Sequence, residues 1–229
     1  MSVGIIVATE YELKKTKLLM QNETEHRYHD LMFYSGQIND NDVIIVKCGI
    51  GKVNSARTTQ VLIDKFKIDY IVNLGAAGAV NPELNVQDVV IGSQLVQYDF
   101  DVTALDDVEK GEIEGVGKFI SSDEKLIEKC KSILEKICNN SFKTVIGKIG
   151  SADFFCADSK VAMNIRNEFN VECVEMEGAA IAHVCFLDKI PFVIIRGISD
   201  TPNGNNKIDY YSYCEKAAEY AVAFLKELI

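Results

Sequence analysis

Two carboxylates that flank a methionine mark the stretch with the clearest potential for chemistry. Residues 171–184 read VECVEMEGAAIAHV: an apolar approach ends in Glu175-Met176-Glu177, and the small residues after Gly178 predict a tightly packed helix. Strand-to-helix junctions are where α/β folds collect ligand-binding groups, and the positive end of the following helix favours the ionised form of Glu177. A structural alternative stays open, in which Glu177 caps the helix and Met176 fills a gap in the core.

Other polar groups follow two further predicted strands. The segment FVIIRGISD places Arg196, Ser199 and Asp200 at the end of the strand 192–195. An acid at the carboxyl end of a strand is a candidate ligand group, although aspartate before Thr-Pro is also an ordinary turn former. Glu12 lies in the first turn of the helix after GIIVAT, where the helix dipole alone would favour a glutamate. Each of these residues therefore has a chemical and a structural interpretation.

Glycine-rich turns follow two more strands. GIGKVN at 49–54 opens a helix, and GAAGA at 75–79 follows a buried strand. Such glycines either let backbone N–H groups approach a ligand or make a sharp turn under a packed helix. The first turn lacks the sixth-position glycine of a dinucleotide fingerprint, so an NAD cofactor is not predicted. Phe155, the second of two aromatics after a strand end, suits either the core or stacking on a planar ring.

The composition indicates a globular chain with an acidic surface. Its 229 residues are 48% hydrophobic and 25% charged, with a net charge of -10. One domain over residues 1–229 is predicted, and nucleic acid or an anionic membrane is disfavoured as a partner. The N-terminus lacks a signal-peptide pattern, and no apolar run reaches the roughly 20 residues of a membrane span. The seven cysteines form no CxxC motif and are interpreted as reduced packing residues. We therefore expect a cytoplasmic protein.

Strands and helices alternate along almost the whole chain. The pattern predicts an α/β fold: a three-layer α/β/α sandwich with a central mixed, largely parallel twisted sheet. One face of the alternating segment 94–105 could line a pocket, the polar segment 21–30 is predicted to be a loop, and a final helix is predicted over 209–228. His26 and His29 have HxxH spacing but no third ligand nearby, so no metal site is predicted.

Four segments carry a resemblance to a known family. In this order and spacing, GIIVATEYE, GIGKVNSA, VECVEMEGAAIAHV and FVIIRGISD resemble the 5'-methylthioadenosine/S-adenosylhomocysteine nucleosidases of the purine-nucleoside-phosphorylase-like family. The similarity runs from the first strand to the final helix, and VEMEG with RGISD is a specific combination. The resemblance implies a nucleoside phosphorylase-like fold. It also implies an enzyme of methionine salvage that hydrolyses the N-glycosidic bond of both nucleosides and releases adenine, without a cofactor or a metal.

The resemblance also implies catalytic roles. Cleavage of a purine N-glycosidic bond passes through an oxocarbenium-like transition state, so the site needs an acid, an activated water and a fixed ribose. By resemblance, Asp200 protonates the purine at N7, and Ser199 orients the carboxyl group of Asp200. Glu12 activates the water with help from Arg196, and Glu177 binds the ribose hydroxyls and stabilises the developing positive charge.

Further residues are assigned to substrate binding by the same resemblance. Met176 packs on the sugar, Phe155 stacks on the purine, the backbone of Cys156 reads its edge, and Tyr210 closes over the ligand. A homodimer is implied, in which the neighbouring subunit covers the 5' substituent, and the interface candidates are apolar. The remaining predicted binding residues are Ile50, Ala76, Gly78, Val102 and Glu175, of which Ile50 and Val102 are the interface candidates.

Two alternative functions stay open. A phosphorylase would need cationic groups for phosphate, yet the chain has four arginines and carries a glutamate in its first βα turn, which favours hydrolysis. A non-catalytic nucleoside-binding protein of the same fold is the second alternative. The joint presence of Glu12, Glu177 and Asp200 favours an enzyme, because a binder needs neither an acid nor a water-activating base.

The chain departs from the family pattern at two places. Ala76 stands where many members carry a serine close to the attacking water, so either the reaction is slower or backbone groups suffice. Leu105, Asp106 and Asp107 stand where relatives present mostly apolar residues, and we hypothesise that these acids favour the homocysteine ammonium group over a methylthio group. The preference among methylthioadenosine, adenosylhomocysteine, 5'-deoxyadenosine and aminodeoxyfutalosine is left open.

Overall fold

A computed structural model describes residues 1–105, 107–138, 141–201, 213 and 223–229. Strands and helices alternate through much of this part of the chain, as the sequence predicts, except for the consecutive strands over 21–47 and 70–121. The elements are β1 Ser2–Val7, α1 Glu10–Lys17, β2 Gln21–Tyr28, β3 Leu31–Ile38, β4 Asn41–Lys47, α2 Lys52–Lys65, β5 Tyr70–Ala79, β6 Val89–Gln97, β7 Ile120–Ser121, α3 Glu124–Ile137, β8 Thr144–Ser151, α4 Ser159–Phe169, β9 Cys173–Glu175, α5 Gly178–Asp188 and β10 Phe192–Asp200.

The ten strands that the structure describes belong to one mixed sheet. Its centre is the parallel run β4–β1–β5–β10, in which Val3 to Ile6 of β1 pair with Tyr70 to Asn73 of β5. Antiparallel strands extend it through β3 and β2, while β10 also pairs antiparallel with β6. Since β6, β8 and β9 lead back to β5, the sheet closes on itself on one side of that strand. The predicted mixed α/β fold with a central mixed sheet is confirmed.

Helices cover both faces of the sheet because its central strands are apolar on both sides. In β5 the side chains of Tyr70 and Val72 enter one core cluster together with α1 and α3, whereas Ile71 enters the other together with α2 and α5. Near-continuous apolar runs of this kind are typical of strands buried on both faces. A smaller cluster joins α4 to the strand ends of β6 and β9.

The prediction of a loop over 21–30 is wrong. Residues Gln21–Tyr28 form β2, which pairs antiparallel with β3 at the end of the sheet. Most of its side chains are exposed, so neither face requires apolar residues and the period-2 signal of a half-buried strand is missing. The final helix predicted over 209–228 lies mostly outside the described residues, and 223–228 are helical. Among the helices that the structure describes, none is long and apolar enough to cross a membrane.

Candidate active site

A cavity of about 540 Å³ opens beside the carboxyl ends of the parallel strands β1, β5 and β10. This is the place where sheets of this type bind ligands, because the loops after parallel strands meet at one edge. Most of the predicted site residues therefore come together from distant parts of the chain. Those that line the cavity are Glu12, Ile50, Ala76, Gly78, Phe155, Glu175, Met176, Glu177, Arg196, Ser199 and Asp200.

The other predicted residues lie elsewhere. Cys156 lines a small adjoining cavity of about 30 Å³ together with Phe155 and Asp200. Val102 is half-buried and is not among the described residues that line either cavity. Tyr210 and Asp106 lie outside the described residues, so their predicted roles have no structural counterpart here.

A β-bulge places Asp200 at one side of the cavity. The parallel pairing of β10 with β5 shifts register between Ile198 and Asp200, so that Asp200 lies opposite Gly78. Bulges redirect a side chain in this way and are common beside active sites. The Ser199 hydroxyl lies 2.6 Å from Asp200 Oδ1 and 3.2 Å from the carbonyl oxygen of Ala77. The carboxyl group of Asp200 is therefore buried and held by its own neighbour in the chain.

Glu12 lies at the base of another wall of the cavity, where α1 begins. Its Oε2 accepts hydrogen bonds from the backbone N–H groups of Ala8 at 3.0 Å and Thr9 at 2.9 Å, and the Thr9 hydroxyl accepts from Glu12 N at 3.3 Å. This is a capping box, so Glu12 has a structural role at the start of α1. Burial nonetheless raises the pKa of Glu12, against the opposing effects of Thr9 and Arg196. The same carboxylate thus caps the helix and faces the cavity.

Glu177 does not cap the helix that it precedes. Its side chain makes no capping hydrogen bond to α5, and Oε1 instead accepts from the backbone N–H of Gly51 at 2.9 Å, at the start of α2. Burial and then the charge of Glu175 raise the pKa of Glu177 to about 7, while Arg196 acts in the opposite direction. The alternative of a simple helix cap is therefore excluded for this side chain.

Glu175 is the centre of a buried hydrogen-bond network. Its Oε2 accepts from the backbone N–H groups of Glu177 at 3.0 Å and Gly178 at 2.7 Å, and from Nε and Nη2 of Arg196. Its Oε1 accepts from the hydroxyl of Ser151. Burial disfavours the charged guanidinium, but the charges of Glu175 and Glu177 outweigh this effect and raise the pKa of Arg196. Although Glu175 lines the cavity, its oxygens are thus engaged by protein donors.

Sequence reasoning missed two members of this network. Asn73 Oδ1 accepts from Arg196 Nη2 at 2.6 Å, and its Nδ2 donates to the carbonyl oxygen of Ile6 at 2.8 Å. The sequence does contain a signal for Asn73: it is a polar residue inside the apolar strand YIVNL, and a polar group that is buried there requires a hydrogen-bond partner. Ser151, which bonds Glu175 and also accepts from the Ala179 N–H at 2.7 Å, has no comparable signal in the sequence.

The chain matches known proteins over nearly its whole length. Residues 2–229 match the family model described as the phosphorylase superfamily. The chain is 37% identical over 217 residues to the 5'-methylthioadenosine/S-adenosylhomocysteine nucleosidase of Staphylococcus aureus (strain bovine RF122 / ET3-1), which is 94% of this chain and 93% of the relative.

Solved structures give the same relationship. The 5'-methylthioadenosine/S-adenosylhomocysteine nucleosidase of Colwellia psychrerythraea 34H, solved in complex with adenine, superposes with a TM-score of 0.92 at 33% identity, over 100% of this chain and 94% of that chain. The futalosine hydrolase of Helicobacter pylori strain 26695 superposes with a TM-score of 0.92 at 28% identity, over 100% of this chain and 97% of that chain.

Proposed function

Because this chain belongs to the 5'-methylthioadenosine/S-adenosylhomocysteine nucleosidase family within the phosphorylase superfamily, we propose that it hydrolyses the N-glycosidic bond of these two nucleosides and releases adenine. The observation that carries the proposal is one cavity lined by both a buried acid, Asp200, and a carboxylate, Glu12. Arg196, the one arginine among the described residues that line this cavity, is already paired with Glu175. Glycosidic hydrolysis needs this combination of an acid for the leaving group and a base for the water.

The leaving purine receives its proton from Asp200. At 2.6 Å, the Ser199 hydroxyl is well placed to donate to Asp200 Oδ1. An oxygen that accepts this hydrogen bond is a poor site for the carboxylic proton, so the proton is held on Oδ2. As the C1'–N9 bond breaks, its electron pair moves into the purine and N7 takes this proton. The aromatic ring of Phe155, at the same end of the cavity, stacks on the purine.

The attacking water is activated by Glu12. Its Oε2 is occupied by two backbone N–H groups, so Oε1 is the oxygen that accepts the proton of the water. A raised pKa makes Glu12 a stronger base than an exposed glutamate, provided that it is ionised when substrate binds. Glu177 binds the ribose hydroxyls and, once ionised, stabilises positive charge on the sugar ring, against which Met176 packs.

Hydrolysis is favoured over phosphorolysis by the charges around the cavity. Arg196 is the only arginine or lysine among the described residues that line it, and its guanidinium is bound to Glu175. Glu12 and Glu177 present two further carboxylates to the same space. Phosphate would need several cationic donors and would be repelled by these acids.

Adenine release from both nucleosides, in phosphate-free buffer and again with phosphate, tests the proposal. We expect phosphate-independent release by the wild type, with kcat lower by about 10²–10⁴-fold in Asp200→Asn and substrate binding retained. Release that requires phosphate and yields a sugar phosphate would identify a phosphorylase. Binding without release would identify a non-catalytic nucleoside-binding protein. Aminodeoxyfutalosine belongs in the same assay, because the chain is also similar to a futalosine hydrolase.

We also propose that residues 1–229 act as a single domain in a cytoplasmic homodimer. The family match over 2–229 supports one domain. Ile50 lines the cavity and is 57% exposed, and Val53 nearby on α2 is 77% exposed. Such exposed apolar side chains are expected if a second subunit covers this surface and completes the pocket for the 5' substituent.

A further inference from the structure

Helix α2 begins without a side-chain cap of its own. Its N-cap residue is Gly51, and its first turn contains no acidic residue. The N–H groups at the start of a helix need acceptors, and two carboxylates from distant parts of the chain supply them. Glu177 accepts from the N–H of Gly51 at 2.9 Å, and Asp153 accepts from the N–H of Lys52 at 2.8 Å. Neighbouring backbone groups therefore connect the start of α2 to two different segments.

Asp99 joins Lys52 to Asp153 a second time. Its Oδ1 accepts from the ammonium group of Lys52 at 2.6 Å, and its Oδ2 accepts from the backbone N–H of Asp153 at 3.0 Å. Lys52, Asp99 and Asp153, here called the loop network, thus form a closed ring of contacts among the segments that follow β4, β6 and β8. The side chains of Lys52 and Asp99 are 16% and 25% exposed, so solvent screens their contact less than that of a fully exposed pair.

The loop network connects two ends of the cavity. Asp153 is two residues before Phe155, which lines the end assigned to the purine, and Lys52 follows Gly51, whose N–H holds Glu177 at the end assigned to the ribose. Gly51 and Asp153 approach closely: a β-carbon at Gly51 would lie 3.1 Å from Asp153 Oδ1, and its φ of +100° favours glycine. Residues that are not among those lining the cavity therefore fix the spacing of its two ends.

We propose that Lys52, Asp99 and Asp153 are positioning residues, which set the separation between the purine-stacking ring and the ribose-binding carboxylate. The inference rests on the proposed function, because that function assigns the two ends. A nucleoside occupies both ends at once, so its glycosidic bond meets the catalytic groups only when the spacing is correct. Adenine occupies one end alone, so its binding does not depend on the spacing. A contact that served only to stabilise the fold would not distinguish these two ligands.

Asp153→Ala tests the proposal, with Asp123→Ala as the matched control. Asp123 caps α3 by accepting from the N–H of Leu126 at 2.9 Å, and it is not among the described residues that line the cavity. Each substitution removes an aspartate at the start of a helix, so both should lower the Tm by similar amounts. Only Asp153→Ala should lower kcat/KM for adenine release from methylthioadenosine, by about 10–100-fold. Its Kd for adenine should stay close to wild type.

Further variants separate the hydrogen bonds of the loop network from packing. Asp153→Asn keeps an acceptor for the N–H of Lys52 and should recover part of the lost kcat/KM. Lys52→Met and Asp99→Ala should each lower kcat/KM. The double variant should lose less than the product of the two single effects, because both substitutions remove the same contact.

Wild-type kcat/KM in Asp153→Ala, a parallel loss of adenine affinity, no recovery in Asp153→Asn, or multiplicative effects of Lys52→Met and Asp99→Ala would each overturn the proposal. If the wild type releases no adenine, the proposed function fails instead. The Kd values for methylthioadenosine and adenine then decide the role of the loop network. Weaker binding of the nucleoside alone in Asp153→Ala would support that role, and an equal change for both ligands would exclude it.

Discussion

At the scale of single residues, the site is defined by an excess of buried negative charge. Glu12, Glu175 and Glu177 surround one guanidinium, that of Arg196. Burial raises the pKa of both Glu12 and Glu177, and at Glu177 the charge of Glu175 adds to the effect, so keeping both groups ionised carries an energetic cost. A positively charged transition state would relieve it, which is how such a pocket favours an oxocarbenium ion over a neutral substrate.

Replacement of Glu177 by glutamine should change how stability depends on pH. The folded-state pKa of Glu177, about 7, lies above its ordinary value of 4.5, so this carboxyl group stabilises the fold at low pH and the contribution is lost as pH rises through about 7. The loss is on the order of 3 kcal/mol. Urea unfolding from pH 5 to pH 8 should show the wild type losing stability relative to Glu177→Gln. Parallel curves for the two proteins would show that Glu177 does not titrate in this range.

Removal of the Ser199 hydroxyl should impair proton donation more than binding. Without it, Asp200 Oδ1 loses its 2.6 Å partner and the proton is no longer directed to Oδ2. We expect kcat in Ser199→Ala to fall by about tenfold or more with little change in KM. Ser122→Ala is a suitable control, since that hydroxyl is also buried but has no hydrogen-bond partner among the described residues. Equal kcat values for both variants and the wild type would remove Ser199 from the mechanism.

At the scale of elements, strand β10 supplies much of the site and depends on a close contact behind it. A β-carbon at Gly197 would lie 1.8 Å from the hydroxyl oxygen of the buried Tyr213. No rotation of the added methyl group avoids this overlap, so either the strand or the tyrosine must move. Gly197 therefore lets Tyr213 pack directly on the strand that carries Arg196 and Asp200.

Gly197→Ala should destabilise the protein by about 1–3 kcal/mol, as overpacking in a core generally does. Tyr213→Phe removes the atom with the shortest contact, so the double variant should lose less stability than the sum of the two single variants. Urea unfolding of all four proteins measures this coupling. Strict additivity would mean that the two residues do not compete for the same space.

At the scale of the whole molecule, the described residues that line the cavity come from six separate stretches of chain. They are 8–12, 50, 74–78, 155–157 and 174–177 together with the end of β10 at 196–200. Each stretch lies at the end of a strand, follows one or opens a helix, and sheet order rather than sequence proximity brings them together. The side chain of Ile50, at the edge of the cavity, is exposed, so part of the apolar wall is open.

The proposed homodimer makes a prediction at this scale. The wild type should have twice the 25.5 kDa mass of one chain in light scattering, and Val53→Asp should shift it toward a single chain and weaken substrate binding. Leu18→Asp is the matched control, because Leu18 and Val53 are both 77% exposed. A wild-type monomer, or equal dissociation by both substitutions, would contradict an interface at Val53.

The sequence by itself determined the α/β class, most of the elements and the residues that would meet in one cavity. Apolar strand runs and the small residues after Gly178 are local patterns, and the motifs that contain Glu177 and Asp200 lie at the ends of β9 and β10. Local patterns did not predict β2, because an exposed edge strand has no buried face and therefore needs no alternating apolar residues.

Only the tertiary structure decided what each side chain contacts. Glu175 is bound to Arg196 and the start of α5, Glu177 reaches Gly51 instead of capping its own helix, and Asn73 supports the guanidinium from inside the sheet. These contacts depend on which strands are neighbours and in what register, including the bulge before Asp200. Register is a long-range property of the sheet, so no short stretch of sequence contains it.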